Sequence, residues 1–180
     1  MTSFEALTVD NVELIAQGVH VLERVNSELY DHNHPELHLS GPGAHMRHLL
    51  DFYSQLLSGI ETGRVDYDAH QRDPRIETEP AYAAGRMGEL IEGLNNLRSG
   101  TVDASTALQI KPDSDGRSPE DTPWTHSSLE RELQAVMSHT VHHDALIAVA
   151  PRPGEFDPGE EFGVAPSTLR NLREQRECVR

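Results

Sequence analysis

Two histidines four residues apart, His139 and His143, stand in the stretch His139-Thr140-Val141-His142-His143-Asp144. On a helix, positions four apart lie one above the other on the same face. Two imidazoles one turn apart form half of a metal site, because nitrogen ligands at about 2 Å suit Zn, Ni, Fe or Cu. His142 is turned about 100° round the same helix and cannot share that face. With 11 histidines in 180 residues, chance pairs of this spacing are expected. A second histidine-bearing stretch upstream adds weight to the pair. His45 and His48 lie three apart, on neighbouring positions of one helix face, and Asp51 follows His48 by three. One or both of these imidazoles would complete a three-histidine site. The competing reading makes His45 an exposed first-turn residue and His48 a hydrogen-bonded core histidine.

The elements that must position these groups are legible in the apolar spacing. The strongest helix runs from Ser127 to Ala150, with Leu129, Leu133, Val136, Met137, Leu146 and Ile147 at helical intervals. Ser127 and Glu130 read as a capping box and Pro151 as a stop. A first helix is expected from Val9 to Tyr30, on the stripe Val12, Ile15, Val19, Leu22, Val25 and Leu29, with His20 beside it. A second runs from Ala44 to Glu61 behind Leu49, Phe52, Leu56 and Ile60, after the turn Ser40-Gly41-Pro42-Gly43. A third spans Ala81 to Leu97, with Thr78 as a candidate cap and Pro80 suited to the first turn. Between the first two lies a loop carrying His32, His34 and His38, read as solvated. The connection from Gly63 to Pro80 is long and rich in charge and turn formers, the kind of segment that packs on a site. Ala107–Lys111 and Trp124-Thr125 are extended patches flanking a turn-rich run, giving a hairpin or an irregular loop between the third and fourth helices. Pro166-Ser167-Thr168-Leu169 begins a last short helix. Four amphipathic helices with long connections predict an all-α chain folded as an antiparallel four-helix bundle, in which metal sites are built from side chains on facing helices.

Composition bounds the rest. A chain of 180 residues with 36% apolar content can bury one core, and no repeat or linker divides residues 1–180, so a single domain is expected. The formal net charge of −15 argues against nucleic acid and anionic membranes as partners. No apolar run approaches membrane-spanning length, and the start of the chain lacks a signal-peptide pattern. The single cysteine, Cys178, offers neither a disulfide framework nor a cysteine zinc site. A cytoplasmic protein is the expectation. There is no Ser-His-Asp arrangement and no phosphate loop, so a metal would have to carry any chemistry.

The stretches GAHMRHLLDFY, VDYDAHQRDPRIE, SHTVHHDALIAV and EFGVAPSTLR, in this order and spacing, resemble the DinB/YfiT-like superfamily of metalloenzymes. The resemblance covers nearly the whole chain. It implies that one histidine of the second helix and two of the fourth bind a divalent metal, usually Zn or Ni: here His48, His139 and His143. His45 does not match the family's ligand. Asp51 and Asp144 are candidates for carboxylates that fix imidazole tautomers, the alternative being solvated carboxylates. Characterised members of the family include S-transferases and isomerases that use low-molecular-weight thiols such as bacillithiol or mycothiol, and a hydrolase. The resemblance therefore implies a metal-dependent thiol transferase or hydrolase acting on an unidentified small molecule, and a homodimer. The alternative is a non-catalytic, stress-related bundle that binds a metal or a small molecule.

Overall fold

The computed structural model describes residues 2–32, 40–69, 72–100, 102–111, 122–149 and 156–178. His34, His38, most of the turn between the two extended patches, and Pro151 lie outside the described residues. The chain is mostly helical, with a small three-stranded sheet.

Helix α1 spans Ser3–Leu22. It begins earlier than the apolar stripe suggested, because Thr2 and Glu5 form a reciprocal cap. The Thr2 hydroxyl accepts from the Glu5 amide at 3.2 Å, and the Glu5 carboxylate accepts from the Thr2 amide at 2.8 Å. The added turns bury Phe4 and Leu7. The helix also stops sooner than expected. After Leu22 the chain turns, and Asn26 caps a separate short helix, α2 (Ser27–Tyr30), by accepting from the Leu29 amide at 2.8 Å. An asparagine side chain competes for local backbone donors and so favours a new start over continuation.

Helix α3 spans Pro42–Thr62, with Pro42 in its first turn and Gly63 ending it in the left-handed region at φ 71°. Strand β1 (Arg64–Asp66) and the short helix α4 (Arg75–Thr78) occupy the connection that had no clear periodicity. Gly43 lets α4 approach closely: a Cβ there would lie 2.0 Å from the Glu77 carbonyl oxygen. Helix α5 (Pro80–Ser99) has Glu79 at its N-cap without a side-chain bond. Thr78 is therefore not its cap; it closes α4 instead.

The first extended patch is a strand, and the second becomes one from Thr125 on, without Trp124. β2 (Ala107–Lys111) pairs antiparallel with β3 (Thr125–Ser128), Leu108 opposite Ser127, and parallel with β1, Val65 opposite Ile110. β3 runs directly into helix α6 (Leu129–Val149). This moves the expected cap. Ser127 is held in the sheet and its hydroxyl donates to Glu132 at 2.5 Å, so it forms no capping box with Glu130. Ser128 accepts from the Arg131 amide at 3.3 Å in its place. The Thr106 and Ala104 carbonyls take up the Leu129 and Glu130 amides. Helix α7 spans Pro166–Cys178.

The four long helices close a ring: α1 packs on α5 and α6, and α3 packs on the same two. One cluster of buried residues runs from Phe4 to Phe162 and includes Met46, Leu56, Leu94, Leu108, Leu133 and Ile147. A buried polar chain ties three of the helices together inside it. Asn11 on α1 donates to the Leu133 carbonyl at 3.3 Å and accepts from the Tyr53 hydroxyl at 2.7 Å. Thr140 on α6 has its hydroxyl 3.1 Å from the Tyr53 oxygen and 2.7 Å from the Val136 carbonyl, so its one proton has two acceptors. No described helix is long and apolar enough to cross a membrane.

Candidate metal centre

The facing pair α3 and α6 positions the histidines. α6 carries His139 and His143 one turn apart, and α3 brings His48 to meet them. One nitrogen from each of His48, His139 and His143 lies within 4.8 Å of the other two, and all three side chains are half-buried. The ring centroids are 4.9 Å apart for His48 and His139, 4.8 Å for His48 and His143, and 4.4 Å for His139 and His143. The three residues singled out from the sequence are thus brought together, and no fourth ligating side chain joins the group among the described residues.

An aromatic ladder walls the cluster. Phe52 stacks on His139 at 4.3 Å and 20°, and Tyr67 stacks on Phe52 at 4.8 Å and 15°. His48 meets the Phe52 ring edge-on at 4.7 Å. Tyr67 in turn donates to the buried Glu132 at 2.9 Å. The ladder limits ring rotation at His139 and keeps water off one side of the site. Spacing along α3 hints at the Phe52 contact, one turn beyond His48. The part played by Tyr67 depends on a tertiary approach that periodicity does not report.

His45 is placed differently from the first-turn reading of its sequence. It is half-buried, and its Nδ1 lies 2.9 Å from Nδ1 of His143. Its Nε2 is buried and has no hydrogen-bond partner. His142 is exposed, on the other side of α6 as its helical position requires. Its ring meets that of His143 edge-on at 5.2 Å.

Clustering shapes the electrostatics. Burial first, and then the neighbouring imidazoles of His139, His48, His45 and His142, hold His143 down at about 3. His45 is also lowered, by burial first and then by His142. Both rings are therefore neutral at pH 7, the form in which an imidazole binds a metal.

The two carboxylates considered as tautomer-fixing partners part company. Asp51 is engaged by Arg47 at 2.8 Å, and Arg47 also pairs with Glu77 of α4. Asp144 faces the core, beside Tyr53, Thr140 and Leu49, about 100° round the helix from His143. It is 1% exposed, and burial pushes its carboxyl well above the usual range. A cleft of about 810 Å³ opens between α1 and the C-terminal segment, floored by Leu14, Phe162 and Leu169; none of the three clustered histidines lines it.

Three imidazoles whose nitrogens converge make a donor set suited to a borderline metal such as Zn or Ni, which such ligands bind at about 2.0–2.1 Å. Chemistry that needs such an ion is within reach of this centre. No protein-family model, curated protein or solved structure matches this chain.

Proposed function

We propose that the chain is a DinB/YfiT-like four-helix bundle, built on α1, α3, α5 and α6, that binds one divalent transition metal, Zn or Ni, through His48, His139 and His143. The observation that carries this reading is the convergence of one nitrogen from each of these three side chains within 4.8 Å. The ring of long helices and the sequence resemblance support the bundle assignment. A metal held there supplies Lewis acidity toward a water or a thiol, which is why the function we favour is a metal-dependent thiol transferase or hydrolase acting on a small molecule. His48, His139 and His143 would hold the ion, beside the Phe52 ring that stacks on His139. A low-molecular-weight thiol is the proposed cosubstrate. The cytoplasm is the proposed compartment and a homodimer the proposed assembly.

A second reading, a non-catalytic metal-binding bundle, is favoured by one observation: the large cleft lies away from the histidines. Calorimetric titration of the chelated protein with Zn and Ni, followed by thermal shift of the loaded protein with low-molecular-weight thiols, separates the two. Binding near one ion per chain with a thiol-dependent rise in melting temperature supports the enzyme. Metal binding with no response to any thiol and no esterase or amidase turnover favours the binding protein. No metal binding at all rejects both.

A further inference from the structure

We infer that His45 is a positioning residue for the metal site: it accepts the Nδ1 proton of His143 and so leaves Nε2 of His143 free to bind the ion. The inference rests on the metal reading above.

The two Nδ1 atoms stand 2.9 Å apart, a hydrogen-bond separation. Neutral imidazole carries one proton, on one of its two nitrogens. Of the facing Nδ1 pair, one must donate and the other accept. If His45 donated, Nδ1 of His143 would be occupied as the acceptor and Nε2 would carry the proton, and His143 would have no lone pair for a metal. If His143 donates, its Nε2 lone pair is available. Metal binding by His143 therefore selects the second arrangement. A ligating imidazole usually gives its other N–H to an acceptor that fixes tautomer and ring orientation. Carboxylates and carbonyls are the common acceptors, but Asp144, the carboxylate next in sequence, is buried on the core side of α6.

The placement of His45 suits the task. It lies one turn before His48 on the same face of α3, so one helix supplies both a ligand and the acceptor that orients another ligand. The His45 and His143 rings are 5.1 Å apart and tilted by 49°. His45 does not belong to the trio whose nitrogens converge within 4.8 Å, which separates an orienting role from that of a fourth ligand.

The test uses the full chain with zinc and a competing chromophoric chelator. His45→Phe keeps the ring volume and removes the acceptor; His45→Asn places a carbonyl oxygen near the position of Nδ1. We expect His45→Phe to weaken zinc binding by roughly 10- to 100-fold, and His45→Asn to recover most of that loss. Nitrogen-15 spectra of histidine-labelled, zinc-loaded protein should show His143 protonated at Nδ1 in the parent chain, and this signature should be lost or mixed in His45→Phe. Zinc affinity and tautomer unchanged in His45→Phe would overturn the inference while leaving the three-histidine centre intact. Four imidazoles counted by X-ray absorption would overturn it too, making His45 a ligand. If the parent chain binds no zinc, the metal reading fails first and this inference with it.

Discussion

Helix α6 carries two polar regions, one buried and one half-buried, that differ by a fraction of a turn. On one side Thr140 joins the chain running through Tyr53 to Asn11. On the other, His139 and His143 gather with His48 and His45. In the first region each donor meets an acceptor, as buried polar groups in a stable core must. In the second, like meets like: burial first, and then the neighbouring imidazoles, hold His143 at about 3. The first arrangement holds helices together. The second brings one nitrogen from each of three imidazoles within 4.8 Å of the others, a donor set for an ion. A polar group that stabilises a fold is recognised by its matched partner, and a candidate site by like donors gathered in one place.

The contrast can be broken most severely at the histidines. Zinc in 1,000-fold excess over its dissociation constant should stabilise the parent chain by about 4 kcal/mol. His48→Ala, His139→Ala and His143→Ala should each remove that gain and leave the chelated protein's melting temperature unchanged or slightly raised. A zinc-dependent melting shift surviving in any of the three would show that this residue is not a ligand.

Tyr53→Phe reverses the pattern. Removing the hydroxyl leaves the Asn11 oxygen buried without its donor, at a cost of about 1–3 kcal/mol, while zinc stoichiometry stays the same. Denaturant unfolding and zinc titration on one preparation read both quantities. A Tyr53→Phe chain that keeps full stability, or loses zinc, would merge the two regions that we separate.

A smaller effect distinguishes two adjacent residues in the chelated protein by the sign of their pH dependence. His143 is lowered in the folded state, so between pH 6.5 and about 3 the unfolded chain binds the extra proton, and stability falls as pH falls through that window. Asp144 is raised, so above the ordinary carboxylate value of 3.8 the folded chain holds the extra proton, and stability falls as pH rises. His143→Ala should flatten the acid side of a plot of melting temperature against pH. Asp144→Asn should remove the opposing slope that begins above pH 3.8 and so raise stability at pH 7. Slopes that respond in the opposite sense would contradict the burial assigned to the two groups. Smallest of all, His142→Ala should change stability by no more than about 0.5 kcal/mol, as expected of an exposed position, and should leave zinc binding in place. If it behaves like His143→Ala, the face assignment on α6 is wrong.

The long helices and the His139–His143 pair were legible because both depend on the 3.6-residue period, which a sequence displays directly; His48 was singled out from His45 by the family resemblance alone. Their ends were less so. The Thr2 and Glu5 cap was written in the sequence, but the apolar stripe drew the start of α1 to Val9. Asn26 inside the supposed continuation was the sign that the helix breaks. Strand β1 left little local trace: three residues pairing with Gln109, Ile110 and Lys111 make a contact that only the folded chain reveals. The shift of the α6 cap from Ser127 to Ser128 has the same origin, since pairing opposite Leu108 claims Ser127. Asp144 read as a partner for the site, but one position along a helix is enough to turn a side chain into the core. His45 was the converse. Its spacing from His48 marked a shared face, yet its approach to His143 comes from the packing of α3 on α6.

The most direct measurement is the metal content of the purified full chain by elemental analysis, without chelator during purification, beside that of the double variant His139→Ala/His143→Ala. We expect close to one Zn or Ni per chain in the parent and almost none in the variant, with both preparations folded by circular dichroism. Equal metal content in the two, or none in a parent chain supplied with Zn and Ni, would contradict the three-histidine centre.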